Sequence, residues 1–173
     1  MRPSYSRTTL RYACQALLWM TLLALTGCGP GPSQFDNSGD FKINLRFVSN
    51  ISDSQKAAFE QAAARWSQVI TVGLPGLRLR FPANDCGEGL PAFDGTIDSL
   101  LIDVQVKPID GPGRILGSSG PCKIRNSSNL PGYGIMTLDA TDLNTLETSG
   151  QLQATITHEM GHVLGYGTLW DDF

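Results

Sequence analysis

Ile156-Thr157-His158-Glu159-Met160-Gly161-His162-Val163-Leu164-Gly165 is the stretch of this 173-residue chain from which the rest is read. It contains H-E-x-x-H, and His158 and His162 are the only two histidines present. Residues four apart on a helix lie one turn above each other on the same face. Two imidazoles so placed can bind one Zn²⁺ while the intervening glutamate points at the metal's open position. Advancing about 100° per residue from Leu152 gathers Leu152, Ile156, Met160, Val163 and Leu164 into an arc of roughly 120°. His158 and His162 fall together on nearly the opposite side, with Glu159 between the faces. A histidine serving the core would lie in the apolar arc; the competing reading is an idle surface pair. The helix is placed at 151–164, and Gly165 supplies the φ > 0 residue that ends it.

Upstream, alternation marks the strands. Phe41, Ile43, Leu45 and Phe47 alternate with Lys42, Asn44 and Arg46. Ser52-Asp53-Ser54 offers N-caps for a helix over 54–70, in which Trp66 reads as a core residue under the sheet. Leu77, Leu79 and Phe81 form a second strand, and Leu100, Ile102, Val104 and Val106 a third. Between these two lies a Gly/Pro/Asp-rich loop from Pro82 to Asp98. Its acids, Asp85, Glu88, Asp94 and Asp98, match no EF-hand and read as solvated turn residues. Arg114 to Ser119 is a short strand candidate, Gly134 to Asp139 a fifth strand, and Asp142 to Glu147 a short helix. The order β-α-β-β-β-β-α gives an α+β domain: one mixed sheet of about five strands packed on two long helices.

The amino terminus reads as an address. Arg2, Arg7 and Arg11 precede the apolar run Ala16–Leu25, which is too short to span a bilayer comfortably. Leu25-Thr26-Gly27-Cys28 resembles a bacterial lipobox, with cleavage before Cys28 and a lipid on its sulfur. Ordinary signal cleavage and an uncleaved anchor are the alternatives. The expected organisation is a signal peptide over 1–27, a Gly/Pro/Ser-rich tether over 28–40 and one domain over 41–173. Cleavage moves the net charge from −3 to −6, with ten Lys and Arg against sixteen Asp and Glu. No basic run survives, which argues against nucleic acid as a partner. The expected location is the bacterial cell envelope, exported and held to the membrane by the lipid. Cys86 and Cys122 then remain as a pair in an oxidising compartment, where a disulfide is the default and free buried thiols the alternative.

His158-Glu159-Met160-Gly161-His162-Val163-Leu164-Gly165 is similar to the metzincin pattern H-E-x-x-H-x-x-G. The run Gly165-Tyr166-Gly167-Thr168-Leu169-Trp170 resembles the bacterial leishmanolysin-like zinc peptidases of that clan, whose amino-terminal subdomain shares the expected element order. The resemblance implies that His158 and His162 ligate one catalytic Zn²⁺ and that Glu159 is the general base. It implies a protein or peptide substrate lying along an edge strand at Ile115, Leu116 and Gly117; an edge strand with no such role is the competing reading.

The departures are specific. Thr168 occupies the position of the clan's usual third histidine, and no methionine follows the zinc helix. A catalytic zinc uses three protein ligands and a water. Asp171 or Asp172 could complete the set only if the chain doubled back directly after Gly165. The expectation is therefore an amino-terminal part of a metalloendopeptidase whose carboxy-terminal part is missing. The alternatives are a catalytically inactive lipoprotein that keeps the fold as a peptide-binding module, and a remnant without a stable fold.

Overall fold

A computed structural model describes residues 39–170. The expected signal peptide, the expected lipid site Cys28, most of the expected tether, Asp171 and Asp172 lie outside the described residues. The elements in order are β1 (Ile43–Phe47), α1 (Asp53–Val69), β2 (Leu77–Phe81), β3 (Phe93–Ile97), β4 (Leu100–Lys107), β5 (Gly117–Ile124), β6 (Pro131–Asp139), α2 (Leu143–Thr148) and α3 (Leu152–Val163). Among these, no helix is long and apolar enough to cross a membrane.

The domain is α+β, but its strands form two sheets rather than one. Four strands run in the order β1-β4-β6-β5, with β1, β4 and β6 parallel and β5 antiparallel at the edge. Because β4 is covered on both faces, Leu100 to Val104 are all buried and its polar-apolar alternation does not mean a wet face. Leu100, Ile102, Val104, Met136 and Leu138 meet Phe59 of α1 and Ile156, Met160 and Val163 of α3 in the main core. The opposite face carries β2 and β3, an antiparallel pair whose Phe81 and Ile97 pack on Leu101 and Tyr133. The expectation of one five-stranded sheet is corrected here. Phe93–Ile97, placed in a loop from sequence, is a strand. Its Asp94 and Gly95 hide the alternation, and Asp94 pairs with Arg78 and Arg80 across the sheet. Among the described residues only one helix is long: α1 has 17 residues, α3 has 12 and α2 has 6.

Helix α1 begins with a capping box. Ser52 Oγ accepts from Gln55 N at 3.1 Å, and Gln55 Oε1 accepts from Ser52 N at 3.0 Å, an arrangement that stabilises a helix by about 1 kcal/mol. Trp66 is half-buried and packs against the main core, as expected of a core residue. It lies between α1 and α3, where its indole N–H donates to the Thr157 carbonyl at 3.1 Å and its ring faces Gly161.

Asp103, the one charged residue in the middle of β4, is fully buried. Arg46 donates to it from Nε at 2.6 Å and from an η nitrogen at 2.7 Å, and Tyr133 O–H donates at 2.8 Å. One carboxylate thus ties β1, β4 and β6 together. Its hydrogen bond holds the Arg46 guanidinium above its ordinary pKa, and burial raises the Tyr133 hydroxyl far above its own. At the end of β6, Asp139 accepts from Thr141 Oγ1 and N, and from the N–H groups of Ile109 and Asp110. These bonds hold its carboxyl well below the usual range and fasten the loop that leads into β5.

Helix α3 lies directly on β6 and β5 because β6 carries no side chain where they cross. A Cβ on Gly134 would overlap Val163 Cγ1 and stand 2.7 Å from the Gly120 carbonyl oxygen. Backbone cannot yield as a flexible side chain can. Gly134→Ala is therefore expected to destabilise the domain by about 2–3 kcal/mol in urea unfolding of the purified protein. An effect under about 0.5 kcal/mol would contradict this packing.

Candidate metal and peptide site

The carboxy-terminal half of α3 turns His158 and His162 away from the core, with Glu159 buried between the two faces. His158 is exposed, His162 half-buried and Glu159 only 8% exposed. The two imidazoles turn towards each other, with Nε2 to Nε2 at 3.1 Å and ring planes at 88°. Two nitrogens each about 2.0–2.1 Å from one zinc at a near-tetrahedral angle stand about 3.3 Å apart. The spacing of the pair thus fits a shared ion, and so does its donor chemistry.

The chain after α3 fixes the second ring. Leu164 is the C-cap, and Gly165 follows at φ +103°. The Tyr166 N–H donates back to the Gly161 carbonyl at 2.9 Å and the Gly165 N–H to the His162 carbonyl at 3.1 Å. These are the two bonds of a Schellman ending, for which a glycine is the natural φ > 0 residue. The turn brings the Tyr166 carbonyl to 2.7 Å from His162 Nδ1. A carbonyl only accepts, so Nδ1 must carry the proton and Nε2 keeps its lone pair for a metal. Thr168, at the position of the clan's usual third histidine, instead donates from Oγ1 to the His162 carbonyl at 2.8 Å. Leu169 is buried against Gly165, while Tyr166 and Trp170 are exposed and meet edge to face.

Glu159 leans the other way, onto the edge strand. Ser119 Oγ lies 2.5 Å from Glu159 Oε2 and 2.7 Å from the Glu159 carbonyl oxygen. Beside it, Ile115, Leu116 and Gly117 face Ala154, Thr155, His158 and Glu159 across an open groove of about 440 Å³. The three residues expected to contact substrate therefore lie next to the histidine-glutamate face. Their place in the strand needs correction. Expected within a strand over 114–119, Ile115 and Leu116 precede β5, which starts at Gly117 and runs through Pro121 and Cys122. Asp110 Oδ1 takes the Ile115 N–H at 3.1 Å and draws that residue out of the ladder. Pro121 is tolerated because β5 is an edge strand with an irregular register after that position.

Cys86 and Cys122 are bonded to each other, with Cα atoms 6.0 Å apart, and fasten the loop after β2 to β5. Among the described residues, no three His, Cys, Asp or Glu side chains converge as a metal-holding group. The histidine pair offers two donors within residues 39–170, where a catalytic zinc uses three protein ligands. Sequence reasoning missed Ser119, the Tyr166 carbonyl and the bond from Trp66 to α3. Ser119 could be told from Ser118 only by the register of β5, and a backbone carbonyl leaves no sequence signal.

No family model matches the chain. Over 132 residues it is 27% identical to metalloendoproteinase 1-MMP of Arabidopsis thaliana, a match that covers 67% of this chain and 29% of the plant protein. The chain thus spans less than a third of that relative's length. The similarity is to a metalloendoproteinase and does not single out the leishmanolysin-like group.

The imidazole geometry gives a direct test. Without metal, His158 Nε2 must carry a proton to donate to His162 Nε2; with zinc, both Nε2 atoms must be bare. Long-range ¹H–¹⁵N spectra should show His162 as the Nδ1–H tautomer in both states. His158 should switch from Nε2–H to Nδ1–H when zinc is added. An Nε2–H form of His162 in either state would contradict the bond to Tyr166.

Proposed function

We propose that this chain is the zinc-helix portion of a metalloendopeptidase that cleaves proteins or peptides. The observation that carries the reading is the convergence of His158 Nε2 and His162 Nε2 beside a largely buried glutamate, along a groove bounded by an edge strand. The likeness to the plant metalloendoproteinase supports the same class.

His158 and His162 would hold Zn²⁺ through Nε2, and a third ligand would come from outside residues 39–170. Bound zinc supplies Lewis acidity towards water and a peptide carbonyl. The chain's own groups do the rest. The Tyr166 carbonyl keeps His162 in its binding tautomer. Glu159 accepts a proton from the attacking water and returns it to the leaving amine. The free edge of β5 pairs with an extended peptide backbone, which places the scissile bond beside the helix.

The finer readings rest on sequence. The run from Gly165 to Trp170 supports a leishmanolysin-like member of the metzincin clan. Leu25-Thr26-Gly27-Cys28 supports export to the bacterial cell envelope and a lipid anchor on Cys28. A second reading, a non-hydrolytic peptide-binding lipoprotein, is favoured by the two-ligand set of residues 39–170.

Casein digestion by the full chain in buffered zinc separates the two. Hydrolysis should occur, and Glu159→Gln should slow it by about 10²-fold or more while leaving bound zinc unchanged. Bound zinc without hydrolysis would support the module; hydrolysis indifferent to Glu159→Gln would overturn the mechanism.

A further inference from the structure

The edge strand carries a seat for Glu159, built from two positions on one face. Residues 117 and 119 of β5 point the same way, since side chains two apart in a strand share a face. Gly117 pairs with Leu138 and Ser119 with Met136, both core residues, so this face looks at α3. At the first position a side chain is excluded. A Cβ on Gly117 would stand 2.9 Å from Leu138 Cδ2 and 3.1 Å from both Cγ and Cδ of Glu159. The glutamate side chain occupies the space that any other residue would fill. At the second position, Ser119 Oγ reaches Glu159 Oε2 at 2.5 Å. The same oxygen lies 2.7 Å from the Glu159 carbonyl, but one hydroxyl proton cannot serve both fully, and the ionised oxygen is the stronger acceptor. Ser119 engages Oε2 and leaves Oε1 without a hydrogen bond among the described residues.

We infer that Ser119 is a positioning residue, which fixes the Glu159 carboxylate against the substrate-side strand and leaves its second oxygen to handle the proton. The inference rests on the peptidase reading. It adds to it a coupling: the strand that would align the peptide also sets the base, so the two keep one register.

Ser119 touches neither histidine, so its removal should spare zinc content. In full-chain protein with zinc, Ser119→Ala should lower kcat for a quenched fluorogenic peptide by about ten- to a hundredfold, with KM little changed. Ser119→Thr, which keeps the hydroxyl, should restore most of the loss. An unchanged kcat, a change confined to KM, or failure of threonine to rescue would overturn the inference. If the parent chain does not hydrolyse the peptide, the peptidase reading fails separately. Crystal structures of the parent and Ser119→Ala chains then decide the positioning role. A carboxylate released from β5 in the variant supports it, and one still held against Gly117 overturns it.

Discussion

The site depends on how closely α3 can approach the sheet. An ordinary helix rides on a layer of side chains, but here Gly134 on β6 and Gly117 on β5 lack the atoms that would hold it off. On the far side, Gly161 lets the helix meet the Trp66 ring, whose N–H is bonded to the Thr157 carbonyl. Helix α3 is thus clamped between the edge of the sheet and α1. Its rotation about its own axis is fixed, with Ile156, Met160 and Val163 fully buried and the histidine pair turned outwards.

That rotation decides what each polar residue of the motif can do. Glu159, midway between the faces, is directed at β5 and held there by Ser119. His158 and His162 turn towards each other, close enough for their Nε2 atoms to share an ion. The ending of the helix completes the arrangement, because the backbone that leaves Gly165 returns a carbonyl to His162. The spacing of the histidines, the placement of Glu159 and its contact with the edge strand therefore share one cause, a tight helix-strand contact. The disulfide and the Asp139 carboxylate hold the two segments that flank that edge.

Much of this was legible in the sequence, and the failures have physical reasons. The period of α3 was readable because five apolar residues share an arc and both histidines avoid it. The helix end at Gly165 was readable because few residues other than glycine favour its φ. Strands β1, β2 and β4 announced themselves by alternation, which carries no sign that Asp103 is buried on protein partners in place of water. Strand β3 was hidden because Asp94 and Gly95 interrupt its pattern, and so the second sheet was missed. Strand β5 was placed too early, since its long stretch through Gly120, Pro121 and Cys122 reads as a breaker while Arg114 to Leu116 reads as strand. Trp66 was legible as a core residue, but not as a donor to the neighbouring helix, because an indole can serve in either way. Ser119 and the Tyr166 carbonyl depend on register and on tertiary return of the chain, which no local pattern encodes.

The central claim is that His158 and His162 hold one metal ion together. X-ray absorption at the zinc edge, on the full chain loaded with one equivalent of zinc, tests it most directly. The account predicts two imidazole nitrogens per zinc at about 2.0–2.1 Å, falling to one or to loss of the metal in His162→Ala. Zinc bound with the same imidazole count in parent and variant, or no specific zinc in the parent chain, would contradict it.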